Sequence, residues 1–132
     1  MIKRISHIGI AVEDLEEVRA FFKEKFGIDS SGYENFRDLI FSFAGTEGAS
    51  LEFLQTVDPD GVIAKFIKKK GQGIHHIAME VDDIQRELDD LRQKGVQLIN
   101  EKPYLNAHKE LVAFIHPRST FGVLIELVQS KG

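Results

Sequence analysis

Between residues 6 and 12 the chain reads SHIGIAV, and Ile8, Ile10 and Val12 alternate with small or polar neighbours, the period of two that marks a half-buried strand. Leu15, Val18, Phe22 and Phe26 then fall at helical spacing, with Asp14 placed to cap the helix and Gly27 to end it. The same succession returns from residue 73. Ile77, Met79 and Val81 alternate, Ile84, Leu88 and Leu91 recur at helical spacing, and Asp82 or Asp83 and Gly95 bound the helix. Shorter β-like segments follow each helix, at about 36–44 and 49–54 in the first half and about 96–100, 111–116 and 122–128 in the second. Between the halves, Val62, Ile63, Phe66 and Ile67 make the apolar side of a short helix over about 60–70, capped by Asp60. The pattern predicts one α+β unit written twice: module one about 1–56, a linker helix, and module two about 73–130.

Laying HIGIAVEDL from His7 over HIAMEVDDI from His76 gives matching apolar, polar and acidic positions. Each half also ends on a strand with a single acid among apolar residues, LEFL with Glu52 and IELV with Glu126. Alternation buries Leu51 with Phe53, and Ile125 with Leu127, and turns each glutamate to the face that its histidine also occupies. Taken singly, such a glutamate is a solvated strand residue and such a histidine a satisfied surface or core group. Four of them in matching places of a repeat point elsewhere. If the two faces pack inward, two imidazoles and two carboxylates converge, and the carboxylates repel unless a cation sits between them. A set of two nitrogens and two oxygens without thiolate suits Co²⁺, Ni²⁺, Mn²⁺, Fe²⁺, Zn²⁺ or Mg²⁺, and leaves open positions that favour catalysis over a purely structural site.

Composition narrows the classes. At 132 residues and 42% hydrophobic, the chain is expected to be a single globular domain with its own core. Seventeen Lys and Arg against twenty-one Asp and Glu give a net charge of -4, with no basic stripe, so no nucleic-acid partner is expected. There is no cysteine, hence no disulfide, thiolate ligand or Cys nucleophile. No apolar run approaches the roughly 18–20 residues that span a bilayer, and MIKRISHIGI does not read as a signal peptide, so a cytoplasmic protein is expected.

SHIGIAV, DPDGVIAKFIKKKGQGIHHIAMEVDDI at 58–84 and VAFIHPRSTFGVLIELV at 112–128 together resemble the vicinal oxygen chelate (glyoxalase/bleomycin resistance/dioxygenase) superfamily, and within it the methylmalonyl-CoA epimerase branch. The resemblance covers essentially the whole chain. It implies two βαβββ modules in a cupped mixed sheet around a metal held by His7, Glu52, His76 and Glu126, with Co²⁺ favoured. It implies an acyl-CoA substrate that loses its C2 proton through a stabilised enolate, Glu126 acting as ligand and base, and a homodimer. In part of the family a second acid stands on the strand before the Glu or Gln ligand strand, and Asp38 in FRDL takes that place here. Its plain alternative is an exposed acid at a strand start. Lys65, Lys68, Lys69 and Lys70 are either a solvated helix face or a contact for CoA phosphates. His75 reads as a core or rim group, and His116 as part of a turn before Pro117. His108 lies in NAHK, where Asn106 and Lys109 replace the family's glycines, and Ser6 replaces a frequent Asp. Two other functions stand beside the epimerase: a glyoxalase I-like lyase acting on a thiol hemithioacetal, and a non-catalytic ligand-binding member of the fold, for which a complete set of four ligands would have no use.

Overall fold

The computed structural model describes residues 1–130, which group into two compact units: residues 7–75, and residues 1–6 together with those from 76 onward. In the first unit the later part of β1 (Ile2–Ala11) is followed by α1 (Leu15–Phe26), β2 (Glu34–Phe36), β3 (Leu39–Ala44), β4 (Ser50–Thr56) and α2 (Val62–Lys70). The strand order is β2-β3-β4-β1, with β1 parallel to β4 and the other neighbours antiparallel. Val12, Leu15, Ala44 and Phe53 are buried together, with Ile10, Val18 and Phe22 packed against them. That cluster accounts for the alternation read in the sequence: Ile10 and Val12 turn towards α1 and leave the other sheet face to His7. The Asp14 carboxylate accepts from Glu17 N–H and Gly27 closes the helix in the left-handed region.

The second unit repeats the plan. β5 (Gly73–Val81) leads into α3 (Ile84–Gln93), β6 (Tyr104–Leu105), β7 (Leu111–Ile115), a short 3-10 helix (Pro117–Thr120) and β8 (Ile125–Gln129). Its strand order is β5-β8-β7-β6, again with the first and last strands parallel. Val81, Ile84, Leu88, Ala113, Ile115, Ile125 and Leu127 form its core. Each fully buried aliphatic side chain there contributes roughly 1.5–3 kcal/mol of transfer free energy. Residues 1–6 are tied to this unit through Arg4 Nε, 3.1 Å from Glu80, whose carboxylate also accepts from Ser130 Oγ at 2.8 Å. The Ser130 hydroxyl first, and then Arg4, hold the Glu80 carboxyl below its ordinary 4.5.

Three local expectations are corrected and one choice is settled. The segment at 36–44 is not one strand: Arg37, with φ of 57°, and Asp38 form a two-residue turn between β2 and β3. α2 is capped by the backbone of Gly61 rather than by Asp60. Of the two acids offered for α3, Asp83 is the cap and accepts from Arg86 N–H. Residues 96–100 make a single bridge, Leu98 to Ile115, and the edge strand lies at Tyr104–Leu105 instead.

Candidate metal centre

β1 runs parallel to β4 with Gly9 beside Glu52, and His7 lies two residues before Gly9 on the same face. His7 Nε2 is 3.4 Å from Glu52 Oε1, and both side chains are largely withdrawn from solvent. Phe43 faces Glu52 from β3 and sets its ring edge against His7, the centroids 5.5 Å apart.

The second unit builds the same pair from the same parts. Ala78 lies beside Glu126 in the parallel β5–β8 ladder, and His76 lies two residues before Ala78. His76 Nε2 is 3.4 Å from Glu126 Oε1, with both side chains at least nine-tenths buried. Phe114 faces Glu126 from β7, its ring 5.7 Å from that of His76 and nearly perpendicular to it. The sequence reading passed over both phenylalanines. Part of the signal was present, since Phe114 is the one aromatic of β7, whereas β3 offers both Phe41 and Phe43.

The spacing discriminates between two meanings of such a pair. A charge-assisted hydrogen bond from a protonated imidazole to a carboxylate is about 2.7–2.9 Å long. Two ligands about 2.1 Å from one cation stand about 3.0 to 4.2 Å apart, according to the angle between them. The 3.4 Å separation in both units is longer than such a hydrogen bond and falls within that span. Buried imidazole and carboxylate donors without sulfur also suit a borderline or hard divalent ion. The residues therefore fit a metal.

The structure does not bring Asp38 to the His7–Glu52 pair. Phe43 is level with Glu52, and Asp38 lies five residues back along that hairpin, about 16 Å away at the usual rise of a strand. Its carboxylate lies instead against Gly61 at the start of α2, where any Cβ would overlap it. A short side chain in a turn has a local role there, next to the positive end of a helix. The remaining histidines also have local settings. The His75 ring stands edge-on to Phe66 of α2, with centroids 5.1 Å apart. His116 Nδ1 accepts from Arg118 N–H at 3.0 Å and begins the 3-10 helix. Around His108, Asn106 Oδ1 accepts from the N–H groups of His108 and Glu110, both at 2.9 Å, so a side chain organises the loop that glycines serve in the resembled family. Lys68, Lys69 and Lys70 occupy the last turn of α2, where they complement the helix C-terminus. Among the described residues no helix is long and apolar enough to cross a membrane.

Comparison with known proteins places these features in context. The sequence profile of the Glyoxalase/Bleomycin resistance protein/Dioxygenase superfamily matches residues 6–114. The mitochondrial methylmalonyl-CoA epimerase of Bos taurus is 36% identical over 132 residues, covering 96% of this chain and 74% of its own. A hypothetical protein from Bacillus halodurans C-125 superposes with a TM-score of 0.94 at 36% identity, over 98% of this chain and 95% of that one. A variant of Streptomyces coelicolor methylmalonyl-CoA epimerase in complex with 2-nitronate-propionyl-CoA gives a TM-score of 0.92 at 29% identity, over 100% and 97% of the two chains.

Proposed function

The chain belongs to the glyoxalase/bleomycin resistance protein/dioxygenase superfamily, and from that premise we propose that it is a metal-dependent epimerase interconverting the two C2 forms of methylmalonyl-CoA. The observation that carries this reading is the duplicated pair: two histidines and two glutamates, each pair spaced at 3.4 Å and produced by the same strand register. His7, Glu52, His76 and Glu126 would hold one divalent cation between them, with Co²⁺ the first ion to test. When bound, such an ion supplies Lewis-acid charge that favours the enolate form of the thioester.

The chain's own residues account for the remaining steps. The C2 proton of methylmalonyl-CoA lies between a thioester and a carboxylate, so its removal leaves a delocalised carbanion. Glu126 is the base that takes this proton from one face. Glu126 is 8% exposed, so its carboxylate is largely withdrawn from water. Phe114 and Ala78 beside it add no competing acid. Delivery of a solvent-derived proton to the other face of the carbanion, with release of the abstracted proton from Glu126 to water, completes epimerisation.

Proton NMR of methylmalonyl-CoA in D₂O tests this reading, comparing metal-stripped protein with protein reloaded with Co²⁺. Metal-dependent loss of the C2 proton signal above the uncatalysed rate is the expected result. No exchange with any candidate metal, together with turnover of a glutathione hemithioacetal, would replace the epimerase by a glyoxalase I-like lyase.

A further inference from the structure

In both units the helix that follows the histidine strand begins against the strand that carries the glutamate, and a glutamine makes the contact each time. The side-chain carbonyl of Gln55 accepts from Leu15 N–H at the start of α1, at 2.7 Å. The side-chain carbonyl of Gln129 accepts from Ile84 N–H at the start of α3, at 2.8 Å. Each glutamine stands three residues after its glutamate, and each helix begins eight residues after its histidine. Strand parity turns the glutamines away from the histidine face, to the side where Phe53 packs with Leu15 and Leu127 with Ile84.

These bonds are not the helix caps. The Asp14 and Asp83 carboxylates already cap α1 and α3 by accepting from Glu17 and Arg86 N–H. The glutamines serve a different orphan donor, the first N–H of each helix, and bring the acceptor from 40 and 45 residues away. Each lies one residue past the last rung of its parallel ladder, Ala11–Leu54 in the first unit and Glu80–Val128 in the second. That is where a fixed point has most to do. Parallel strands have no tight turn to set their register, and a slide of two residues keeps every side chain on its own face. Such a slide would still move each glutamate off the position, two residues beyond its histidine, at which the 3.4 Å separation arises. Smaller displacements along the strand change the same separation by less.

We propose that Gln55 and Gln129 are positioning residues that lock each glutamate strand against its histidine strand, and so set the donor separation that a divalent cation meets. The inference rests on the reading of the four donors as a metal centre, and not on the substrate. Neither glutamine reaches the donors themselves; each acts through its strand, from the opposite face of the sheet. The duplication gives the idea its force, since two units that differ in most of their side chains keep the same acceptor on the same donor.

The test compares two acceptors at the same helix end. Gln55→Ala and Gln129→Ala remove the acceptor carried by the glutamate strand, whereas Asp14→Ala and Asp83→Ala remove a cap contained in the helix segment. Urea midpoints should fall in all four, because each leaves a helix N–H without its partner. Co²⁺ affinity, titrated through the visible absorption of the ion, should separate them. Each glutamine variant should bind about 10-fold more weakly or worse, the scale set by residues that orient metal ligands, and the aspartate variants should bind as wild type does. Gln55→Glu and Gln129→Glu keep an acceptor oxygen and should restore most of the affinity. Gln55→Met and Gln129→Met, which fill the space without an acceptor, take the place of alanine if the smaller side chain unfolds the protein. Wild-type affinity in either glutamine variant, or an equal loss in the aspartate variants, would overturn the assignment while leaving the metal centre in place. Absence of Co²⁺ binding by the wild-type protein would overturn the metal reading, and this inference with it.

Discussion

Replacing Gly61 by alanine should destabilise the protein by about 1–3 kcal/mol, the cost of forcing a methyl group into packed space. The backbone is not the obstacle, because φ of -71° and ψ of 168° are open to alanine. Two smaller effects nearly cancel: a restricted unfolded chain adds about 0.4–1 kcal/mol of stability, and exchanging glycine for alanine at a helix N-cap removes a similar amount. What remains is contact. The new Cβ would overlap Asp38 Oδ2, stand 2.8 Å from Thr56 Oγ1 and 3.1 Å from the carbonyl oxygen of Asp58. Thr56 cannot swing aside freely, since its hydroxyl donates to that same carbonyl at 2.6 Å. Urea unfolding of Gly61→Ala, Asp38→Ala and the double variant makes a thermodynamic cycle. Removing the Asp38 carboxylate should relieve part of the clash, with a coupling of about 1 kcal/mol or more between the two sites. Asp38→Asn should in turn epimerise without the roughly 10²- to 10⁴-fold loss of a missing acid–base group. Wild-type stability in Gly61→Ala, or strict additivity in the cycle, would refute this placement of Asp38.

Two further outcomes are expected. A cation at 100 times its Kd should stabilise the wild-type protein by about 2.7 kcal/mol, and His76→Ala should lose most of that increment in thermal unfolding; equal increments would remove His76 from the ligand set. Glu80, held below its ordinary 4.5 by Ser130 and Arg4, adds stability that is complete above the unfolded pKa and is lost as pH falls through the folded one. Glu80→Gln should therefore lower the urea midpoint at pH 7 and match wild type near pH 3, and a deficit of the same size at both pH values would deny the linkage.

The parts of the fold that rest on periodicity were legible in the chain. Ile10, Val12, Met79 and Val81 face the helices as the alternation implied, because a strand covered on one side by a helix has to sort its residues by parity. Asp14 and Gly27 bound α1 for reasons local to a few residues. What could not be read depended on distant contacts or lacked the usual turn signals. Arg37 and Asp38 turn the chain without glycine or proline, and the single aspartate was too weak a signal to divide the 36–44 segment. Once the break is known, the parity of residues 34–36 reverses relative to β3. Glu34 then comes to the face of His7 and Glu52, which no local pattern could disclose. The short β6 likewise exists because β7 offers it an edge.

The parallel ladders have a consequence for the order in which things happen. Glu52 follows His7 by 45 positions, and Glu126 follows His76 by 50, so neither pair exists before the last strand of its unit has docked. On a ribosome adding roughly 5–20 residues per second, about 4–15 s separate the synthesis of Glu52 from that of Glu126. A nascent chain would spend that interval with one imidazole and one carboxylate, a bidentate fragment of low affinity and little selectivity. Under the proposed reading, the choice among competing ions in the cell is then made late, by the finished polypeptide.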